Sequence, residues 1–123
     1  MEQSRLQDTR RYERFPCAQM VTIRAKDAAA AAEDTRALVV DVSLGGLKMR
    51  TKADLDPKKL YILTMAGRDE PLNFHGTVVH LAQGDPSGEA SVGFVFRPES
   101  HEERVAIANF VHQVFSSAWS EAA

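Results

Sequence analysis

The sequence predicts a mainly β protein, a small closed antiparallel β-barrel of about six strands with a C-terminal α-helix packed against it. Three observations predict this. Short runs of strand-forming residues with period-two alternation recur along the chain, and clusters of glycine, proline and aspartate separate them at short intervals. The apolar period changes to a helical one only after Ser100. With 123 residues, 44% of them hydrophobic and 26% charged, the chain is one domain of ordinary globular composition, large enough to close a core.

Taken in order, residues 1–9 are polar and read as a flexible N-terminal tail, and residues 10–119 as the folded domain. A first strand is expected over 18–24, with Val21 and Ile23 on one face. The five alanines 28–32 are too short a run for a stable isolated helix and read as a hairpin connection. A second strand follows over 36–43, then a Gly45-Gly46 turn and a short partner strand over 47–51. Residues 53–57 are turn-like, 59–65 a further strand, and Gly67 to Pro71 a tight connection. In residues 72–82 the set Leu72, Phe74, Gly76 and Val78 alternates with Asn73, His75, Thr77 and Val79, and mid-strand Gly76 predicts a bulge or bend. A Gly/Pro/Ser loop covers 83–88, and a last strand 89–97 turns Val92, Phe94 and Phe96 inward. Ser100-His101-Glu102-Glu103 is a capping box. Behind it, Ile107, Phe110, Val111, Val114, Phe115 and Ala118 form an apolar stripe on a helix of about 100–118. Trp119 just beyond it either closes the core or, with Phe115, anchors a partner.

Charge is distributed unevenly. Residues 1–26 carry +3, so the remainder carries −5 of a net −2. That pattern fits a local anion site better than the broad basic surface of a nucleic-acid binder, and few aromatics in the first fifty residues also argue against binding of a nucleic-acid polymer. No apolar run reaches the roughly 20 residues of a membrane helix, and the N-terminus lacks an apolar signal core, so a cytoplasmic protein is expected. The sole cysteine, Cys17, has no disulfide partner and reads as a small buried residue. His75 and His80 fall on opposite faces of one strand, His101 and His112 are too far apart to pair, and Ser43 has no His–Asp relay. The sequence therefore makes no case for an enzyme, a metal site or a cofactor.

Two stretches carry chemistry. Arg10-Arg11-Tyr12-Glu13-Arg14 precedes Phe15-Pro16, and Arg10 and Arg14 share a face four residues apart. Two guanidinium forks so placed clamp phosphate, or the O6/N7 edge of guanine, bidentately. In the second strand Leu38, Val40 and Val42 are expected on the core face, with Val39, Asp41 and Ser43 on the other, beside the Gly45-Gly46 turn. A carboxylate there is an acceptor for the N1–H and N2–H donors of guanine.

The pair of patterns, Arg10-x-x-x-Arg14 and Asp41-x-Ser43-x-x-Gly46, resembles the PilZ domain, a bacterial receptor module for the second messenger cyclic di-GMP. Gly76-Thr77-Val78-Val79-His80 and Val92-Gly93-Phe94-Val95-Phe96 are similar to its later strands, so the resemblance runs from Arg10 to about Phe115. It implies the same barrel with a terminal helix, and cyclic di-GMP as ligand. It assigns phosphate and guanine contacts to Arg10 and Arg14, help from Arg11, and guanine reading to Asp41, Ser43 and the Gly46 backbone. It further implies that the arginine arm orders over the nucleotide and that a downstream protein partner receives the signal. Thr9 stands where some family members carry a further arginine that favours a pair of ligands. Other members lack the motifs and act as nucleotide-independent interaction scaffolds. That is the alternative reading.

Overall fold

The computed structural model describes residues 14–28, 34–67, 69–82 and 88–122, with side chains on the last stretch through residue 117. Among the described residues six strands, β1 (Phe15–Ala25), β2 (Thr35–Val42), β3 (Gly46–Thr51), β4 (Tyr61–Met65), β5 (Leu72–Ala82) and β6 (Ala90–Phe96), precede one helix, α1 (His101–Ala122). The strands close into a barrel in the order β1-β2-β3-β6-β5-β4, with every neighbouring pair antiparallel. The mainly β barrel with a C-terminal helix is thus the observed architecture. The expected tail and most of the arginine cluster (residues 1–13), most of the alanine run (29–32), Arg68, the loop 83–87 and the Trp119 side chain lie outside what is described.

Closure follows from the inward faces. Phe74, Leu63, Val92 and Phe94 are almost completely buried, and Phe74 meets Phe96 edge-on at 5.8 Å between ring centres. On α1, Ile107, Phe110 and Val111 are buried against the barrel, and Phe110 lies 5.8 Å from Phe74. Val114 is partly buried, and Phe115 is held at the edge by a T-shaped contact with Phe15 at 4.9 Å.

The cap of α1 does more than the sequence pattern implies. The Glu103 amide donates to Ser100 Oγ at 3.0 Å. The Glu103 carboxylate reaches back one residue further than a standard box and accepts from the Glu99 amide at 3.1 Å. It also accepts from the His75 amide at 2.6 Å, and its Oε1 lies 2.9 Å from His75 Nδ1, which fastens the start of α1 to β5. Lys26 bonds the Glu99 carboxylate, and this hydrogen bonding holds the Glu99 pKa below the ordinary carboxylate value.

Two local expectations are corrected. In β2 it is Ala37 and Val39 that are buried while Leu38 is exposed, the reverse of the expected parity, because the ladder to β3 shifts register between Val39 and Asp41. Val40 is the extra residue of that bulge, and past it Val42 faces inward again. Gly76 does not mark a bulge, since it keeps regular partners in Tyr61 and Phe96. The irregularity of β5 falls instead between His80 and Ala82. Gly76 is glycine because the Phe94 ring lies on its backbone: an added Cβ would stand 2.5 Å from two ring carbons and from the Val95 carbonyl oxygen. Gly76→Ala is therefore expected to destabilise the fold by about 1–3 kcal/mol through overpacking, read as a lower urea midpoint with an unchanged slope. An unshifted midpoint would show that Phe94 repacks freely.

Candidate functional site

The site grows from the place where two ladders break. β1 shifts register against β2 between Pro16 and Gln19, and β2 shifts against β3 between Val39 and Asp41. Pro16, which has no N–H to give a ladder, pairs with Asp41, and Asp41 pairs on its other side with Lys48. The bulge turns Asp41 to the outer face, where its side chain keeps 23% of its exposure.

Arg14 stands immediately before β1 and meets Asp41 directly. Its Nε donates to Asp41 Oδ1 at 2.8 Å, with Nη2 at 2.5 Å from the same oxygen. Two of the residues expected at the site are thus brought together across 27 positions of sequence. Both are partly exposed, and such surface pairs contribute only about 0–1 kcal/mol, so the pair opens at little cost. Arg10 and Arg11 lie outside the described residues.

Ser43 differs from its expected position. It is 3% exposed and does not face outward. Its amide donates to the Gly46 carbonyl at 2.8 Å, its hydroxyl donates to the same oxygen at 3.2 Å, and the Gly46 amide returns a bond to the Ser43 carbonyl at 3.3 Å. Gly46 opens β3 so close to β6 that a Cβ would collide with the Phe94 carbonyl oxygen. The Phe96 amide adds a bond to the Gly45 carbonyl. Ser43 and Gly46 therefore build the rigid turn that follows Asp41, with Leu44 exposed at its tip.

Lys48 is the residue that the sequence reading passed over. Leu47 and Met49 are buried, so Lys48 between them faces out, beside Asp41. The alternation Lys48-x-Arg50 was the available signal, because it places two cations on one face of β3. Behind Pro16, an open groove of about 610 Å³ runs between β1 and α1, lined by Cys17, Gln19, Phe110 and Gln113 among others.

The family model for the PilZ domain matches residues 8–113. The PilZ domain of CeSA from a cellulose-synthesising bacterium is 15% identical, with a TM-score of 0.64 over 83% of this chain and 97% of that one. The PilZ domain of YcgR from Escherichia coli, solved with c-di-GMP, is 15% identical with a TM-score of 0.60, covering 91% and 95% of the two chains. The K. pneumonia MrkH–c-di-GMP complex is 16% identical with a TM-score of 0.61, over 90% of this chain and 53% of that one. No curated protein sequence matches the chain. No helix among the described residues is long and apolar enough to cross a membrane.

Cys17, next to this site, is only partly buried, yet its burial pushes the thiol above its ordinary pKa; a backbone hydrogen bond at Ala18 works against this and the negative charge of Asp41 adds to it. Since the thiolate is the nucleophile, Cys17 is expected to react with a disulfide reagent at pH 8 more slowly than free cysteine. Its rate should keep rising at pH values where free cysteine has levelled off. A rate equal to that of free cysteine would contradict this environment.

Proposed function

The chain belongs to the PilZ family, and we propose that it is a cyclic di-GMP receptor, an adaptor working in the cytoplasm without catalysis. The observation that carries the reading is the Arg14–Asp41 pair on the outer face, formed by one residue from each half of the two-part motif. A guanine has an acceptor edge, O6 and N7, next to a donor edge, N1–H and N2–H. Arg14 and Asp41 side by side offer the complementary donors and acceptor, so one base meets both. Arg10 and Arg11 then supply positive charge for the phosphates, and the Ser43–Gly46 turn holds Asp41 in place and borders the base. YcgR and MrkH, whose fold this chain shares, were solved with the same nucleotide.

The signalling step in this reading is a gathering of residues 1–14 over the dianionic ligand, which makes or hides a surface for a downstream protein. Amide hydrogen exchange tests it: protection over residues 1–14 is expected to rise with cyclic di-GMP. Equal protection with and without nucleotide would remove arm closure and leave the binding site standing.

Asp41→Ala separates base reading from simple charge attraction. Asp41 is negative and occupies Arg14, so its removal should tighten a site that works by charge alone. A site that reads guanine loses its acceptor, at about 1–3 kcal/mol, and weakens roughly fivefold or more. Weaker binding is expected, with Asp41→Asn in between. Arg14→Ala should weaken affinity at least about tenfold through loss of a charge-assisted contact. Calorimetry at one salt concentration with cyclic di-GMP, cyclic di-AMP, GTP and a single-stranded oligonucleotide gives the comparison. An Asp41→Ala protein that binds cyclic di-GMP as well as wild type would sink the assignment, and no binding by wild type would leave the nucleotide-independent scaffold.

A further inference from the structure

The Arg14–Asp41 pair provides for one base, but a cyclic dinucleotide has two bases flanking a ring of two sugars and two phosphates. The outer face beyond Asp41 holds what the rest of such a ligand needs. Register partners run from Asp41 on β2 to Lys48 on β3, Gly93 on β6 and Val79 on β5. With neighbouring strands about 4.8 Å apart, this row spans about 14 Å.

Each position along the row has a distinct chemistry. Asp41 is engaged by Arg14, whereas Lys48 makes no ion pair among the described residues, so its ammonium is available to an incoming anion. Gly93 presents no side chain on a face that is outward by parity, and two aliphatic side chains lean over it. From the point where a Cβ would stand, Val79 Cγ2 is 3.0 Å away and the Leu81 methyls are 3.5 and 3.6 Å away. Gly93 is buried beneath them, while Val79 and Leu81 remain 45% and 53% exposed. The result is a low aliphatic shelf, with one cation between it and the Arg14–Asp41 pair. A flat base laid on such a shelf buries apolar surface on one face without needing a hydrogen-bond partner there.

We infer that Lys48 holds a phosphate and that the Val79–Leu81 shelf over Gly93 seats the second purine of a cyclic dinucleotide. This makes the outer face of β3, β6 and β5 the second half of the ligand site. The inference rests on the nucleotide reading given above, with Arg14 and Asp41 holding the first base. It assigns the two halves different selectivity. The first recognises guanine by its edge, and the second takes a purine by its face.

Titrations of wild type, Lys48→Ala and Leu81→Ser with cyclic di-GMP and with GMP test this, together with Val105→Ser, a control for removing an exposed aliphatic side chain on α1. Leu81→Ser is expected to weaken cyclic di-GMP about fivefold or more while leaving GMP, which occupies only the first half, unchanged. Lys48→Ala is expected to weaken cyclic di-GMP and to flatten its salt dependence. In wild type, amide chemical shifts of Val79, Leu81 and Gly93 should move with cyclic di-GMP and stay still with GMP. Isotherms of both variants that overlay wild type, with those three amides unmoved, would overturn the second half-site while the first stands. A wild type that binds no cyclic di-GMP would overturn both.

Discussion

The extra residue in β2 is the constraint on which the site depends. Val39 and Val42 are both completely buried although three positions apart, which a regular strand with period two forbids. Val40 absorbs the mismatch as a bulge, and Asp41 is thereby turned out of the barrel. Without the bulge a carboxylate would enter an apolar core, at a desolvation penalty far larger than any surface pairing returns. The break in the β1 ladder falls at the same level, where Pro16 faces Asp41. Two adjacent irregularities thus open the outer face at one point, and Arg14 is delivered to that point by the start of β1.

The supports around Asp41 are rigid for separate reasons. The Ser43–Gly46 turn is closed by three hydrogen bonds and pressed against β6, where no side chain fits at Gly46. On the inner side Phe94 lies over Gly76 and next to Phe96, so the strands flanking the site are set by aromatic packing. The Arg14–Asp41 bond is of another kind, exposed and weak. A binding site needs both: a frame that does not move, and contacts that a ligand replaces at little cost.

The legible parts of the sequence were those where hydrophobicity alternates with polarity. In β5 the inward set Phe74, Gly76 and Val78 is separated by Asn73, His75 and Thr77, and its bounds, 72–82, match the expected ones. The capping box marked the start of α1 for the same reason of sharp chemical contrast. In β2 the run Leu38-Val39-Val40 is apolar on both faces, so parity had no polar marker and a bulge left no trace in composition. Ser43 and Gly46 were recognisable as a turn, but the burial of Ser43 follows from a bond to a carbonyl three residues ahead, and Gly46 from the backbone of β6. Lys48 escaped notice because its meaning comes from its neighbour across the ladder.

Phe15 connects the site to the helix. It follows Arg14 directly, and its ring is held edge-on by Phe115 of α1. The helix is fixed in turn at its other end, where Glu103 accepts from the backbone and ring of His75 on β5. Arg14 therefore leaves the barrel from an anchored position, and Asp41 is presented by a closed turn. Both side chains are thus positioned by the fold itself, so little ordering entropy is spent on bringing them together.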